Sequence, residues 1–174
     1  QHNWTLKAIL LTHAHVDHSP LARPLAEATG APVLGFGPAR AGMSDDMAAL
    51  SAAGATGGGE GVDEAFAPDE TLAHGDTVSG DGWSVTGLWT PGHMGNHLSF
   101  AWGDAVFTGD HVMGWATSMV SPPDGDLTAF MASCHRLAAR SDRVSYPGHG
   151  APVADPAARL AALIAHRESR TAQI

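Results

Sequence analysis

His13-Ala14-His15-Val16-Asp17-His18 packs three imidazoles and a carboxylate into six residues. Along a strand-like path alternate side chains point the same way, so His13, His15 and Asp17 can converge on one centre. Histidine is a common metal ligand, and a turn after Asp17 can bring His18 round to a second centre. The stretch reads as the start of a two-metal site, and a hydrolytic enzyme is the leading expectation.

Three later motifs repeat one design: Pro91-Gly92-His93, Thr108-Gly109-Asp110-His111 and Pro147-Gly148-His149-Gly150. Each sets one candidate ligand at the end of an apolar run, beside a glycine whose backbone can hold a side chain over a site. Two metals roughly 3.5–4 Å apart need a shared ligand, and a carboxylate suits that bridge. The count assigns His13, His15 and His93 to one metal and Asp17, His18 and His149 to the other, with Asp110 between them.

The ordered set THAHVDH (12–18), TPGHMGNHLSF (90–100), FTGD (107–110) and YPGHG (146–150) resembles the metallo-β-lactamase fold superfamily. The resemblance keeps the family's motif order and covers nearly the whole chain. It implies a binuclear metallo-hydrolase with two divalent ions. Zinc is the ion expected from the resemblance, although an oxygen- and nitrogen-rich donor set also suits iron and manganese.

The 174 residues suffice for one domain with a core, and 44% apolar content is ordinary for a soluble globular chain. A net charge of −9 argues against broad electrostatic binding to nucleic acid, although two divalent cations would invert the local potential. No apolar run approaches a membrane span, no secretory signal is visible, and the single Cys134 cannot form an internal disulfide. The expected compartment is the cytoplasm.

Leu6–Leu11 reads as a strand ending at the metal motif. Ser19 as cap and Pro20 in the first turn start a helix that stops at Gly30. Residues 32–36 read as a short strand, 38–50 as helical, and the Gly- and Ala-rich 52–64 as a mobile loop. Strands follow at Val78, Trp83–Trp89, Leu98–Trp102 and Ala105–Phe107, with hairpin turns at 79–82 and 103–104. Asp126 caps a helix to about Arg140 whose core stripe is Leu127, Phe130, Met131, Cys134, Leu137 and Ala138. Val144–Tyr146 is a strand leading to His149, and Asp155-Pro156 caps a last helix carrying Leu160, Leu163 and Ile164. This α+β mix fits an αββα sandwich with ligands on loops at one edge. About a dozen residues precede the histidine motif, where the family usually has a block of strands. The expectation is a single domain over 1–174, a fragment of a longer protein. It would lack part of the first sheet and the C-terminal helical domain that His166-Arg167 leads into in one branch.

The resemblance implies a metal-bridging hydroxide that attacks an ester, thioester or lactone, with Asp17 orienting the nucleophile and taking its proton. It also places His97 near the site, either as a proton or oxyanion helper or as a hydrogen-bond partner of the ligands. His111 either contacts substrate or, as a strand-end neighbour normally does, points away from it, and Tyr146 is either core or rim, core being the commoner. Trp115, Ser118 and Ser121 either line the mouth or are ordinary loop residues, the second being commoner. His2, His74, His135 and His166 read as structural or exposed, and Cys134 as core. Zinc β-lactamases commonly carry cysteine where this chain has Asp110, so antibiotic hydrolysis is not the expected main activity. The 107–126 stretch and the His166-Arg167 ending look most like a bacterial group similar to the animal mitochondrial β-lactamase-like endoribonuclease. Cleavage of single-stranded RNA is therefore the alternative to a small-molecule substrate, and a metal-binding fold without catalysis is the third reading.

Overall fold

Apolar side chains at alternate positions of a strand share one face that must be covered, and the chain meets that demand with two packed sheets. The computed structural model describes residues 4–59 and 61–173, so His2 lies outside the described residues. The elements in chain order are β1 (Ile9–Leu10), α1 (Ala22–Thr29), β2 (Val33–Gly35), α2 (Asp45–Ala52), β3 (Glu70–Thr71) and β4 (Thr77–Gly80). They continue with β5 (Trp83–Trp89), β6 (Leu98–Trp102), β7 (Ala105–Gly109), α3 (Leu127–Ala138), β8 (Val144–Pro147) and α4 (Pro156–Thr171). The first sheet is parallel, ordered β1-β2-β3; the second is ordered β4-β5-β6-β7-β8, antiparallel until β8 joins β7 in parallel.

Three apolar clusters fill three interlayer spaces. Leu11, Ala22, Ala26, Val33 and Phe66 lie between α1 and the first sheet. Leu34, Leu98 and Phe100, with Leu10, Val85 and Trp89 against them, lie between the sheets. Val106, Phe130, Cys134, Leu137, Leu160 and Leu163 lie between the second sheet and helices α3 and α4. Consecutive Val33 and Leu34 thus serve opposite faces of one strand, as the two-residue period requires. Each large side chain fully buried this way contributes roughly 1.5–3 kcal/mol. The result is the αββα sandwich that the element pattern predicted. No helix among the described residues is long and apolar enough to cross a membrane.

Local details depart from expectation where distant partners intervene. Ser19 does not cap α1; its hydroxyl instead donates to the Asp63 carboxylate at 2.7 Å and lies 3.1 Å from the His15 carbonyl. Helix α2 starts at Asp45 rather than near Pro38, because Gly42 adopts a left-handed φ of 73° that breaks any helix there. Gly30 ends α1 as expected, with φ 73° and its amide bonded to the Ala26 carbonyl. Among its described residues the 52–64 segment carries no strand or helix beyond α2, yet its far end is pinned to the histidine motif by an isolated bridge between Val62 and His15. Asp63 N–H donates to the Ala14 carbonyl at 2.8 Å, and Val16 N–H to the Gly61 carbonyl at 3.2 Å. Asp126 and Asp155 do cap α3 and α4, accepting from Ala129 and Ala158 amides. On α3, Leu127 and Ala138 are exposed, and Ser133 joins the buried face instead. Tyr146 is not core: it is half-exposed and stacks on Phe107 across the β7–β8 pair.

Candidate metal centre

All seven predicted ligands sit on turns that follow strand or bridge ends at one edge of the sandwich. β1 runs into Thr12, whose carbonyl accepts from Leu98 N–H at 2.7 Å, tying the two sheets together just ahead of His13. β5 runs into Thr90-Pro91-Gly92-His93, and the Trp89 indole N–H holds the returning loop through the Gly95 carbonyl at 2.9 Å. β7 ends at Gly109 before Asp110, and β8 at Pro147 before His149. Gly148 N–H donates to the Gly109 carbonyl at 2.8 Å, which locks those last two turns side by side.

Two donor groups result, His13–His15–His93 and Asp17–His18–Asp110–His149, each with its donor atoms within 4.8 Å of one another. In the first, His15 Nδ1 lies 3.1 Å from His13 Nε2 and 3.0 Å from His93 Nε2. One His15 proton cannot satisfy two facing lone pairs. Nitrogens bound to a tetrahedral ion at about 2.0–2.1 Å stand roughly 3.3 Å apart, so the trio has the spacing of ligands around a cation. His93 supports this, because its Nδ1–H donates to the Met119 carbonyl at 2.7 Å and leaves Nε2 as a bare lone pair aimed inward. His13 Nδ1 is held in turn by the Thr12 hydroxyl at 3.0 Å.

In the second group His149 Nε2 lies 3.1 Å from Asp17 Oδ2 and 3.2 Å from His18 Nε2. Asp110 stands between the groups. Its Oδ1 is 3.4 Å from His18 Nε2, and its Oδ2 is 3.4 Å from His149 Nε2 and 4.0 Å from His93 Nε2. Asp110 Oδ1 is buried with no hydrogen-bond partner, which is costly for a carboxylate unless a cation compensates. Gly148 makes room for this oxygen, since a Cβ at Gly148 would sit 2.3 Å from it.

Burial shapes the protonation states. It pushes His13 and His97 well below the ordinary imidazole value, with neighbouring imidazoles adding to the effect. It pulls His15 down to about 4 and His111 to about 3, and lowers His93 as well. Burial opposes charge on His18 too, but contact with Asp110 and the charge of Asp17 outweigh it and raise that pKa. Burial would raise Asp110, yet the surrounding His18, His93 and His149 hold it below its usual range. Neutral imidazoles and an ionised carboxylate are the forms that ligate metal.

A pH dependence follows. Five buried histidines have folded pKa values below the unfolded value near 6.5, so the unfolded chain takes up protons that the fold refuses. Stability of the chelated protein should fall as pH drops from about 6.5 toward 4 and 3, the window set by His15 and His111. Asp110 acts in the same direction and the single raised histidine, His18, in the opposite one. Urea midpoints at pH 7.5, 6 and 5 check this, and a flat or rising series would contradict it.

The other candidates fall into place around the centre. His97 is fully buried behind His13, ring centres 5.1 Å apart; its Nδ1 meets the Thr90 hydroxyl at 2.9 Å and its Nε2 has no partner. His111 is also fully buried, turned from the centre toward Cys134 Sγ at 3.6 Å and packed on Phe130. Burial pushes the Cys134 thiol up to about 12, which suits core and not a nucleophile. Ser118 is buried, donating to the His111 carbonyl, whereas Trp115 is exposed. Ser121 Oγ accepts from Gly58 N–H, His74 Nδ1 accepts from Trp89 N–H, and His135 and His166 are exposed. Sequence reading missed the Met119 carbonyl and Asp63. A main-chain acceptor carries no side-chain signature, and Asp63 meets Ser19 only across 44 residues of chain.

Comparison with known proteins agrees with this architecture. Over its whole length the chain is 26% identical to an atrochrysone carboxyl ACP thioesterase of Aspergillus fumigatus, covering 48% of that protein. The chain spans half or less of the curated relatives it matches. Among solved structures it resembles a metallo-beta-lactamase family protein from Thermus thermophilus, with TM-score 0.70 and 27% identity, covering 95% of this chain and 62% of that one. It also resembles TTHA1623 in a di-iron-bound form, with TM-score 0.63 and 29% identity, covering 86% and 73%. The profile of the Metallo-beta-lactamase superfamily matches residues 1–149, and with the motif order and the sandwich it places this chain in that superfamily.

Proposed function

We propose that the chain is a metal-dependent hydrolase that cleaves a thioester or a related ester or lactone. His13, His15 and His93 hold one divalent ion; Asp17, His18 and His149 hold a second, and Asp110 serves both. The observation that carries this reading is the pair of donor groups with one buried carboxylate, Asp110, placed within reach of both. A thioesterase relative matched along this whole chain supports the bond type, and a di-iron neighbour supports two ions without choosing zinc over iron.

When bound, the ions supply Lewis-acid activation of water and of the acyl oxygen. The chain's own residues do the rest. Asp17 is the more accessible of the two carboxylates beside His18, and its Oδ2 lies next to His149 Nε2. It orients the attacking water and takes its proton as the water oxygen bonds to the acyl carbon. The carbon–sulfur bond then breaks, and the proton passes to the leaving sulfur, giving a carboxylic acid and a thiol. His97, buried and held by Thr90, does not reach substrate and positions His13 from behind. The net charge of −9 favours a small or acyl substrate over RNA.

Parallel turnover of a thioester, a lactone and a short RNA by the metal-loaded protein, with the chelated protein as control, tests this. Chelator-sensitive thioester or lactone cleavage is the expected result. Cleavage of RNA alone would overturn the substrate class, and activity that survives complete metal removal would overturn the mechanism.

A further inference from the structure

The segment between Asp110 and α3 is fixed from behind and apolar in front. Arg159 of α4 donates through Nε to the Met113 carbonyl at 2.7 Å and through Nη2 to the Ala116 carbonyl at 2.6 Å. Arg167, further along the same helix, donates to the Ser118 carbonyl and lies over the Phe130 ring at 5.3 Å. Ser118 Oγ reaches back to the His111 carbonyl at 2.8 Å, and Ser121 Oγ accepts from Gly58 N–H at 2.9 Å. Two arginines and two serines therefore clamp the backbone of 113–121.

The two large side chains of this clamped segment are left open to solvent, Trp115 at 73% and Met119 at 51%. Each stands at one donor group. The Trp115 ring lies on the backbone of Gly150, next to His149, where a Cβ would come within 2.7 Å of its Cδ1. Met119 gives its carbonyl to His93 Nδ1 and rests its thioether against Gly58 and Gly59. Val16, between His15 and Asp17, is exposed as well. Single exposed apolar residues are ordinary, but three that each touch or flank a candidate ligand of one centre, two of them on clamped backbone, form a preorganised surface.

We propose that Trp115 and Met119 form the specificity wall of the site and receive the aromatic or extended apolar acyl group of the thioester substrate. The inference rests on the hydrolase reading above and names the substrate class within it. Arg159 and Arg167 commit donors to main-chain carbonyls behind the wall, so they hold it in place without presenting their charge on its face. An apolar acyl group gains contact area and ring stacking there, whereas a phosphate backbone would meet no cation from these two residues.

The test compares kcat/KM for the 2-naphthoyl and acetyl thioesters of N-acetylcysteamine in the metal-loaded protein. In Trp115→Ala the naphthoyl-to-acetyl ratio should fall roughly 10- to 100-fold, mostly through KM, and Trp115→Phe should recover most of it. Trp102→Ala, at another exposed tryptophan at the end of β6, should leave the ratio unchanged. An unchanged ratio in Trp115→Ala overturns the wall. If the wild type cleaves neither thioester, the thioester assignment fails, and calorimetry with 2-naphthoate and acetate still decides the wall. Tighter naphthoate binding that Trp115→Ala abolishes supports it; equal binding of the two carboxylates overturns it. Salt-dependent binding of a short RNA that Trp115→Ala weakens, without a naphthoate preference, would make the surface a nucleobase platform and overturn the acyl assignment.

Discussion

On the proposed two-metal reading, Asp110→Ala should cost the metal-reconstituted protein at least one ion and lower the proposed thioester hydrolysis by roughly a thousandfold, since a metal supplies several kcal/mol of charge stabilisation in the transition state. Asp110 lies within 4.0 Å of donor atoms in both groups, so its loss affects both. Asp110→Asn keeps the shape and removes the charge, and should fail nearly as badly. The two variants together separate ligation from packing: metal content by elemental analysis and circular dichroism are read on the same samples. An Asp110→Ala protein that keeps two ions and full activity would sink the assignment. The fold should survive, because the polar contacts that Asp110 gives up, at 3.4–4.0 Å to His18, His93 and His149, lie among the candidate ligands and outside the three apolar clusters.

Gly92→Ala should be the most damaging single methyl in the chain outside the ligands. Gly92 has φ +138°, a backbone conformation that side chains rarely adopt, and its absent Cβ would lie 2.2 Å from Phe130 Cα and 2.4 Å from Phe130 N. Those are backbone atoms of α3, so no rotamer change relieves the clash. The Gly92 carbonyl also accepts from Asp126 N–H at 2.9 Å, at the start of α3. Helix α3 must move off the second sheet or the His93 turn must deform. Overpacking and backbone strain together should cost about 3–4 kcal/mol, a drop of about 10 °C in Tm for a chain of this size. Metal affinity should fall with it, since His93 is the next residue. A Tm indistinguishable from wild type would contradict the packing described for this turn.

The proposed ligand set is legible in sequence because it is local in pieces. Four of its seven residues lie in 13–18, and the other three each follow a glycine at a strand end. β5 and β6 begin and end where the alternation of apolar residues predicts, since Trp83–Trp89 and Leu98–Trp102 carry their own pattern. β3, with both residues exposed, carries no such pattern and leaves no sequence signal. Ser19 has the chemistry of a helix cap but finds a carboxylate 44 residues away, and long-range partners of this kind leave no local trace. Sequence leaves Tyr146 between core and rim; the structure exposes it, because that part of the second sheet lies outside the inter-sheet cluster. The clamp on 113–121 is equally hidden, because Arg159 and Arg167 bind carbonyls there.

The most direct test of the binuclear centre is anomalous scattering from crystals of the metal-reconstituted protein at the metal's absorption edge. The account predicts two peaks roughly 3.5–4 Å apart. One should be bounded by His13, His15 and His93, the other by Asp17, His18 and His149, with the Asp110 carboxylate reaching both. A single peak, or two peaks held by other residues, would contradict it.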